Sequence, residues 1–281
     1  MPVALALAAA LVYGSSDFLG GLASRRTATI GVVIVSQAVG LLLLAVAVPV
    51  AGGHAVASDV AWGAVCGVAG AAAIALLYRG LAIGTMGIVS PISAVLGASI
   101  PLIFGVVIRS ERPAWLAYAG IAAALAAVVC VSAAPGARRA RGLPPGVLEA
   151  LLAGAGFGAY FIALAHTQSG AGMMPLFAAR VTSVILLVAG GLALGGIASV
   201  RVSRPALGLV VLCGTLDASA NVLYVVAAHT GLLAIVAVLT SLYPAATVAL
   251  AAIVLRERLA RLQWIGVALA LGSAAAIAAG S

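Results

Sequence analysis

The chain has 281 residues, of which 65% are hydrophobic and only 7% charged, against roughly 25% charged in a typical soluble domain. One soluble core cannot bury that much apolar surface, and at about 20 residues per transmembrane helix the composition predicts roughly nine or ten spans. A soluble enzyme, a disordered chain and an outer-membrane barrel with alternating strands are therefore excluded. The net charge of +8 comes from Arg without Lys, mostly where apolar runs end, which indicates membrane topology and not nucleic-acid binding.

The apolar runs, cut at Arg, Pro and Gly/Ser clusters, predict an all-α polytopic membrane protein with ten transmembrane helices. The first stretch lacks the basic start of a cleaved signal peptide, so we interpret it as a retained helix. The expected spans cover about 3–24, 29–50, 60–83, 86–108, 114–134, 146–166, 174–200, 206–228, 232–255 and 260–279.

A linker at 135–145, rich in Arg, Pro and Gly, divides the chain into a first repeat at 1–134 and a second at 146–281. At an offset of 146 residues, Leu77-Tyr78 aligns with Leu223-Tyr224 and Glu111-Arg112 with Glu257-Arg258. Each half then holds five helices. Because five is odd, the second half must enter the membrane from the opposite face, which predicts two inverted repeats, the architecture of secondary transporters with a substrate near the midplane.

One helix face in the second half carries a strip of polar side chains. Asp217 lies at the midpoint of the predicted eighth span, and Asn221 and Tyr224 follow at spacings of four and three, on the same face. A carboxylate in lipid is costly, so we predict a cavity that binds substrate through these residues, together with the aligned Tyr78. The alternative is a hydrogen-bond network that only packs helices together.

A second intramembrane acid, Asp17, follows Tyr13 by one helical turn in the first span. Loss of hydration favours the neutral form of a buried acid, so Asp17 is a proton-coupling candidate, as is Asp217. Tyr13 joins the expected substrate-binding residues. The alternative for Asp17 is a structural partner of an Arg.

Prolines lie in two spans, the fourth and the ninth, that occupy equivalent places in the two repeats. Pro91 and Pro101 fall in the fourth span and Pro244 in the ninth, where each removes a backbone donor and is expected to kink its helix. Freed carbonyls at membrane depth must face protein or a wet cavity, so both helices are expected to line the pathway. Ser241 and Tyr243, just before Pro244, are therefore expected to line it too.

Other charges lie near span ends. We interpret Glu111/Arg112 and Glu257/Arg258 as pairs that fix loops. Glu149 is a carboxylate stabilised by the positive end of its helix, and Arg79 is expected to reach the membrane interface. The alternative for Arg79 is to bind an anionic substrate.

The sequence predicts no cofactor. Its three cysteines lie in apolar runs without a CxxC or Cys/His cluster, so no metal site is expected. No GxxxxGK[ST] run is present, so no nucleotide partner is expected. An intramembrane enzyme is disfavoured because a metal-ligating His/Asp cluster, an Asp-rich diphosphate motif and a Ser/His pair at helical spacing are all missing from the sequence.

Several segments resemble the drug/metabolite transporter superfamily in its ten-helix form, built from two EamA-type repeats. They are 13–26 (YGSSDFLGGLASRR), 87–101, 239–244, and the acid–Arg…Gln-x-x-Gly signature of 257–266, from which the first repeat departs at Ala117. The resemblance implies efflux or exchange of a small metabolite, often linked to protons. It also implies a multi-pass protein of the bacterial cytoplasmic membrane.

The sequence therefore predicts a secondary-active exporter of a small polar or amphipathic metabolite such as an amino acid, working by alternating access in the lipid bilayer. A lipid flippase or scramblase, or an uncoupled facilitator, is the alternative. Loops after odd-numbered spans hold or adjoin eleven Arg, and loops after even-numbered spans three, Arg109, Arg112 and Arg180. The positive-inside rule then places both termini outside, whereas relatives are generally drawn with both inside.

Overall fold

A computed structural model describes residues 2–108, 110, 114–132, 143–230, 236, 239–240 and 242–280. Over these residues the secondary structure is helical, without a strand. The helices are α1 Pro2–Ser24, α2 Thr29–Ala51, α3 Ala57–Ile83, α4 Met86–Ile108, α5 Trp115–Ser132, α6 Val147–Leu164, α7 Met174–Val200, α8 Arg204–Thr230, α9 Tyr243–Val254 and α10 Arg261–Gly280, with a short 3₁₀ turn at Ser169–Ala171.

Seven of the described helices, α1 to α4 and α6 to α8, are long and apolar enough to cross a membrane. Their outward residues are large and aliphatic: on α2, Leu42 and Val46 are each 70% exposed. An apolar surface of this extent is unfavourable in water, so lipid must cover it. The chain is a multi-pass membrane protein.

Two details differ from the predicted spans. The seventh span was expected to be continuous, but Gly196 in α7 has φ 61° and ψ −166°, a left-handed conformation that glycine adopts without a Cβ clash. Pro244 was expected to kink a helix, but it lies in the first turn of α9, where its missing N–H costs no intrahelical bond. Pro91 and Pro101 do lie inside α4, and Pro49 lies inside α2.

The predicted repeats would pair α1 to α5 in order with α6 to α10, and several helix contacts recur when the members of these pairs are exchanged. α1 packs against α8 and α9, and α6 against α3 and α4. α2 packs against α8, and α7 against α3. The pairs α2–α7, α4–α9 and α5–α10 join corresponding helices.

The corresponding helices α5 and α10 run antiparallel. The Ala114 N–H, just before α5, donates to the Gly280 carbonyl at the end of α10, 2.9 Å away. Further along, Gly120 faces Ile277, and Ala124 shares a buried cluster with Ala270. The start of one helix therefore lies beside the end of the other.

The corresponding helices α2 and α7 are antiparallel too. Gly31 near the start of α2 lies against the Arg201 carbonyl after α7, whereas Gly53 after α2 lies against Gly172 before α7. Midway, Gln37 Nε2 donates to Ser183 Oγ at 3.2 Å, and these residues are 146 apart in sequence. That separation equals the predicted repeat offset of 146 residues.

Polar links tie the helix ends together. At one end Arg25 Nη2 donates to the Leu81 and Gly84 carbonyls and to Glu257 Oε1, at 3.2, 3.1 and 3.3 Å. Glu257 also accepts the Met86 N–H and the neighbouring Gly87 N–H, at 3.1 and 3.2 Å, and so caps the start of α4. Glu257 therefore has Arg25 as its cation, not the neighbouring Arg258 of the predicted pair, and the other predicted pair, Glu111 with Arg112, lies outside the described residues.

The opposite end has its own links. The carboxylate of Asp59, fully buried, accepts the Val56 N–H before α3 and the Gln168 N–H between α6 and α7, at 3.0 and 2.9 Å. His54 N–H donates to the Gly170 carbonyl at 2.9 Å. Both ends therefore join the first half to the second.

The close contact of α5 with α10 can be tested at Gly120, where a Cβ would lie 2.7 Å from Ile277 Cγ1 and 3.0 Å from backbone atoms of α10. We expect Gly120→Val to lower stability by about 1–3 kcal/mol through overpacking. Gly272→Val is the matched control, because a Cβ there meets no described atom within 4 Å. Thermal unfolding in detergent should show a lower Tm for Gly120→Val alone; equal values for the two variants would contradict this packing.

Candidate functional site

The interior holds an ion pair between the second half's helices α7 and α8. Arg180, two turns into α7, donates through Nη2 to Asp217 Oδ2 in the middle of α8. Their side chains are 17% and 22% exposed. Hydrocarbon cannot hydrate a charge, so each of these groups depends on the other.

A small cavity of about 10 Å³, roughly the room that one water molecule needs, adjoins this pair. The first half supplies Ser36 and Gln37 from α2 and Ile74 and Tyr78 from α3, while the second supplies Arg180 and Asp217. The site therefore lies between the halves, and five of its six lining side chains are polar.

Gln37 occupies a special position in the cavity wall. It is 6% exposed, and its Nε2 is held by Ser183 as described above. Its Oε1 is buried without a hydrogen-bond partner among the described residues. A buried acceptor in this state retains its full capacity to bind a donor.

Tyr78 is held in the wall by neighbours on two other helices. Its hydroxyl lies 3.2 Å from Cys213 Sγ, and Ser16 Oγ donates to the Cys213 carbonyl at 2.9 Å. Gly20 of α1 packs flat against the Tyr78 ring, since a Cβ there would lie 2.3 Å from Cζ. Tyr78 is therefore rigidly placed by α1 and α8.

Asp17 lies near the pair without joining it. Its carboxylate interacts electrostatically with Asp217, and it has no hydrogen bond or ion pair with any described residue. Arg180 pairs with Asp217 instead, so the alternative of Asp17 as the structural partner of an Arg finds no support among the described residues.

The other expected binding residues make different contacts from one another. Tyr13 interacts electrostatically with Asp217 and Arg180, and its ring lies 6.4 Å from that of Tyr243 in an edge-on arrangement. Asn221 Nδ2 instead donates to the Asp217 backbone carbonyl one turn back, at 2.7 Å.

Tyr224 packs beside the apolar cluster of Ala6, Ala227 and Val236. Ser241 lies outside the described residues. The strip predicted along α8 therefore contributes Asp217 alone to the cavity wall.

Sequence reasoning missed Arg180 and Gln37. Arg180 was counted among the loop arginines that set membrane orientation, and that count is wrong for this residue because it lies within α7 and pairs with Asp217. Its position two turns inside a predicted span was the available signal. Gln37 carried a similar signal, as an amide in the middle of an apolar run.

A second ion pair, between Arg79 and Glu149, lies nearer the surface of the protein. Arg79 Nε lies 3.5 Å from Glu149 Oε1, and the Arg79 side chain is 66% exposed. The exposure agrees with a side chain that reaches the interface. In the described part of the chain, no group of three His, Cys, Asp or Glu side chains could hold a metal ion.

Comparison with known protein families gives one match. Residues 144–279 match the EamA-like transporter family. This confirms the resemblance seen in the sequence and is consistent with the drug/metabolite transporter superfamily. The matched region contains both Arg180 and Asp217, and the EamA-like family is one of membrane transporters, not enzymes. Comparison with curated proteins finds no matching relative.

The mutual dependence of Arg180 and Asp217 predicts a particular pattern of stabilities. Asp217→Asn or Arg180→Gln alone should lower the free energy of unfolding by about 3–5 kcal/mol, because each leaves an unpaired charge in a poorly hydrated site. The double variant Arg180→Gln/Asp217→Asn should recover most of that loss. Unfolding in detergent followed as a double-mutant cycle measures the coupling; additive losses would argue against a paired site.

Proposed function

We propose that this protein is a secondary-active transporter that exports a small polar or amphipathic metabolite, such as an amino acid, across the bacterial cytoplasmic membrane. Its EamA-like domain supports the transporter class. The observation that carries the proposal is the polar cavity with the Arg180–Asp217 pair between the halves. Ionisable groups inside a membrane protein mark substrate or ion pathways, because burying them away from water is unfavourable and is kept where function requires it.

The proposed mechanism is alternating access by two inverted five-helix repeats, 1–134 and 146–281, joined by 135–145. Antiparallel packing of α2 with α7 and of α5 with α10 supports it, since corresponding helices of inverted repeats must point in opposite directions. The contact of Gln37 with Ser183, at the repeat offset, puts a pseudo-two-fold axis between α2 and α7 in this proposal. The cavity then lies beside the axis, as alternating access requires.

In the proposed mechanism, the Arg25–Glu257 ion pair keeps the transporter closed at the end where this pair lies. It ties α1 and the start of α4 to the segment between α9 and α10. For that end to open between the halves, Glu257 must release Arg25 and the N–H groups of α4. The halves therefore separate at a defined set of charge-assisted hydrogen bonds.

Protons are the proposed coupling ion, and Asp17 and Asp217 are the candidate carriers. Asp217 is paired with Arg180, whereas Asp17 has no such cation among the described residues. A proton on Asp17 would remove an uncompensated charge from the membrane interior, so Asp17 is the better carrier of the two.

The proposed function predicts that Asp217→Asn abolishes gradient-driven transport in proteoliposomes while the protein still folds. Loss of the carboxylate removes one of the two charges facing the cavity and leaves Arg180 unpaired. The substrate is first identified by a metabolite screen on cells that overexpress the chain. Size-exclusion chromatography checks the folding, and Arg79→Gln, which removes a largely exposed charge that does not line the cavity, is the control.

Transport by Asp217→Asn at the wild-type rate would contradict an essential role for this carboxylate. Movement of lipid headgroups without any soluble substrate would instead favour the flippase or scramblase alternative.

The assignment of the proton to Asp17 has its own test. We expect Asp17→Asn to retain exchange of substrate across the vesicle membrane but to lose acceleration by a pH gradient, since the neutral amide carries no proton. Substrate exchange and gradient-driven flux are measured on the same vesicles. Unchanged acceleration by the gradient in Asp17→Asn would exclude it as the coupling group.

A further inference from the structure

Arginines collect at one end of the helix bundle. The segments that meet there follow α1, α3, α7 and α9, and direct contacts join them. Thr27 Oγ1 accepts the Ser203 N–H at 3.1 Å, and Arg25 donates to the Gly84 carbonyl and to Glu257. The arginines on these segments, or within about one turn of them, are Arg25, Arg26, Arg79, Arg201, Arg204, Arg256, Arg258 and Arg261.

Two of these positive charges are neutralised by a neighbouring acid. Arg25 lies 3.3 Å from Glu257, and Arg79 lies 3.5 Å from Glu149. The others form no ion pair with an acidic side chain that the structure describes. These exposed residues are Arg26, Arg201, Arg204, Arg256, Arg258 and Arg261. At a membrane surface, the anions available to such charges are the headgroups of anionic lipids.

Three of the unpaired arginines occur within six residues, on the segment between α9 and α10. Arg256 and Arg258 lie between the helices, and Arg261 begins α10. The helices on either side expose apolar side chains: Ile253 is 75% exposed at the end of α9, and Trp264 is 50% exposed one turn into α10. Because hydrocarbon covers such side chains, the three arginines lie within about one helical turn of it, at the depth of lipid headgroups.

The backbone at Arg256 adds an independent observation. Its φ is 54°, in the left-handed region, and the Glu257 N–H that follows donates back to the Ala251 carbonyl at 3.3 Å. Glycine is the usual residue where a helix ends in this conformation, because a side chain there is strained. Strained positions of this kind cluster at functional sites, so an arginine here points to a role for its side chain.

The start of α10 provides further donors beside these arginines. The first N–H groups of a helix lack intrahelical partners and carry partial positive charge, which favours a phosphate there. Gln263 Oε1 accepts only the Ala260 N–H, at 2.8 Å, just before the helix. Arg261 is the first residue of α10, and its guanidinium can bind a phosphate through two parallel N–H groups. The segment thus combines helix donors with three planar cations.

We propose that the three arginines of the α9–α10 segment bind the headgroup phosphate of an anionic phospholipid, whose acyl chains lie against the exposed ends of α9 and α10. A zwitterionic lipid fits less well, because its ammonium group is repelled by the guanidinium groups. None of the three arginines lines the cavity beside Asp217. Glu257 lies between two of them in sequence, so a bound lipid restrains the same segment that pairs with Arg25.

Fluorescence of Trp264 tests the site, because this side chain lies one turn from Arg261. The full chain with Trp62→Phe/Trp115→Phe keeps Trp264 as its one tryptophan and is reconstituted into phosphatidylcholine vesicles. Brominated phosphatidylglycerol or brominated phosphatidylcholine is then added at the same low mole fraction. We expect the anionic lipid to bind beside Trp264 about threefold or more tightly, measured by quenching.

Removal of the cations should remove this preference. In Arg256→Gln/Arg258→Gln/Arg261→Gln we expect nearly equal quenching by the two lipids. If that variant fails to fold, Arg256→Gly gives a second measurement. Glycine suits a φ of 54°, so the fold is kept while one guanidinium is lost and the preference falls. Size-exclusion chromatography checks the folding of each variant.

The matched control removes the same number of charges from the same end, in Arg26→Gln/Arg201→Gln/Arg204→Gln. It should keep the preference at Trp264, because these arginines lie on other segments. An equal loss in both triple variants would reduce the effect to general surface charge and overturn the proposed site. Equal quenching by the two lipids in the wild type would also overturn it, as would loss of the preference when inorganic phosphate is added, since the ligand would then be a soluble anion.

Discussion

The pairing of Arg180 with Asp217 is the constraint that organises the interior of this protein. A membrane core cannot solvate either charge, so α7 and α8 must face each other at that depth and must face the cavity shared with α2 and α3. The same constraint explains why the polar side chains Ser36, Gln37 and Tyr78 collect at this point and are not spread over the lipid-facing surface. The ion pair thus fixes both the rotation of two helices and the position of the polar cavity.

Elsewhere the helices are held by shape and by a few hydrogen bonds. Lipid tails are as apolar as leucine, so burial of apolar side chains gives little preference for one packing over another. Small residues supply it instead: Gly14 lies against the Tyr243 carbonyl, and Gly154 against Ser93. The contacts that join Ser16, Tyr78 and Cys213 then specify how α1, α3 and α8 meet.

The polar links at the helix ends and the cavity in the middle have different roles. Arg25 with Glu257 at one end, and Asp59 with Gln168 at the other, connect the halves through charge-assisted hydrogen bonds to backbone groups. Such hydrogen bonds are strong in one geometry and break when their groups move apart. Helices that pack closely at glycines, in contrast, do not slide past each other easily. In a transporter of the proposed kind, the end links would determine which side is closed, and the central charges would determine what is carried.

The sequence by itself determined the membrane class, the positions of most spans and the presence of Asp217 within a span, because hydropathy and local spacing are properties of a single helix; it also carried the resemblance to the EamA-like family. It did not determine that Arg180 pairs with Asp217, that Gln37 lines the cavity or that Asn221 bonds to its own helix. These helices are apolar nearly all round, so periodicity does not reveal which face turns inward. Only the tertiary structure decided it, because a charge 37 residues away in sequence, or an amide on another helix, becomes a neighbour only once the helices have packed.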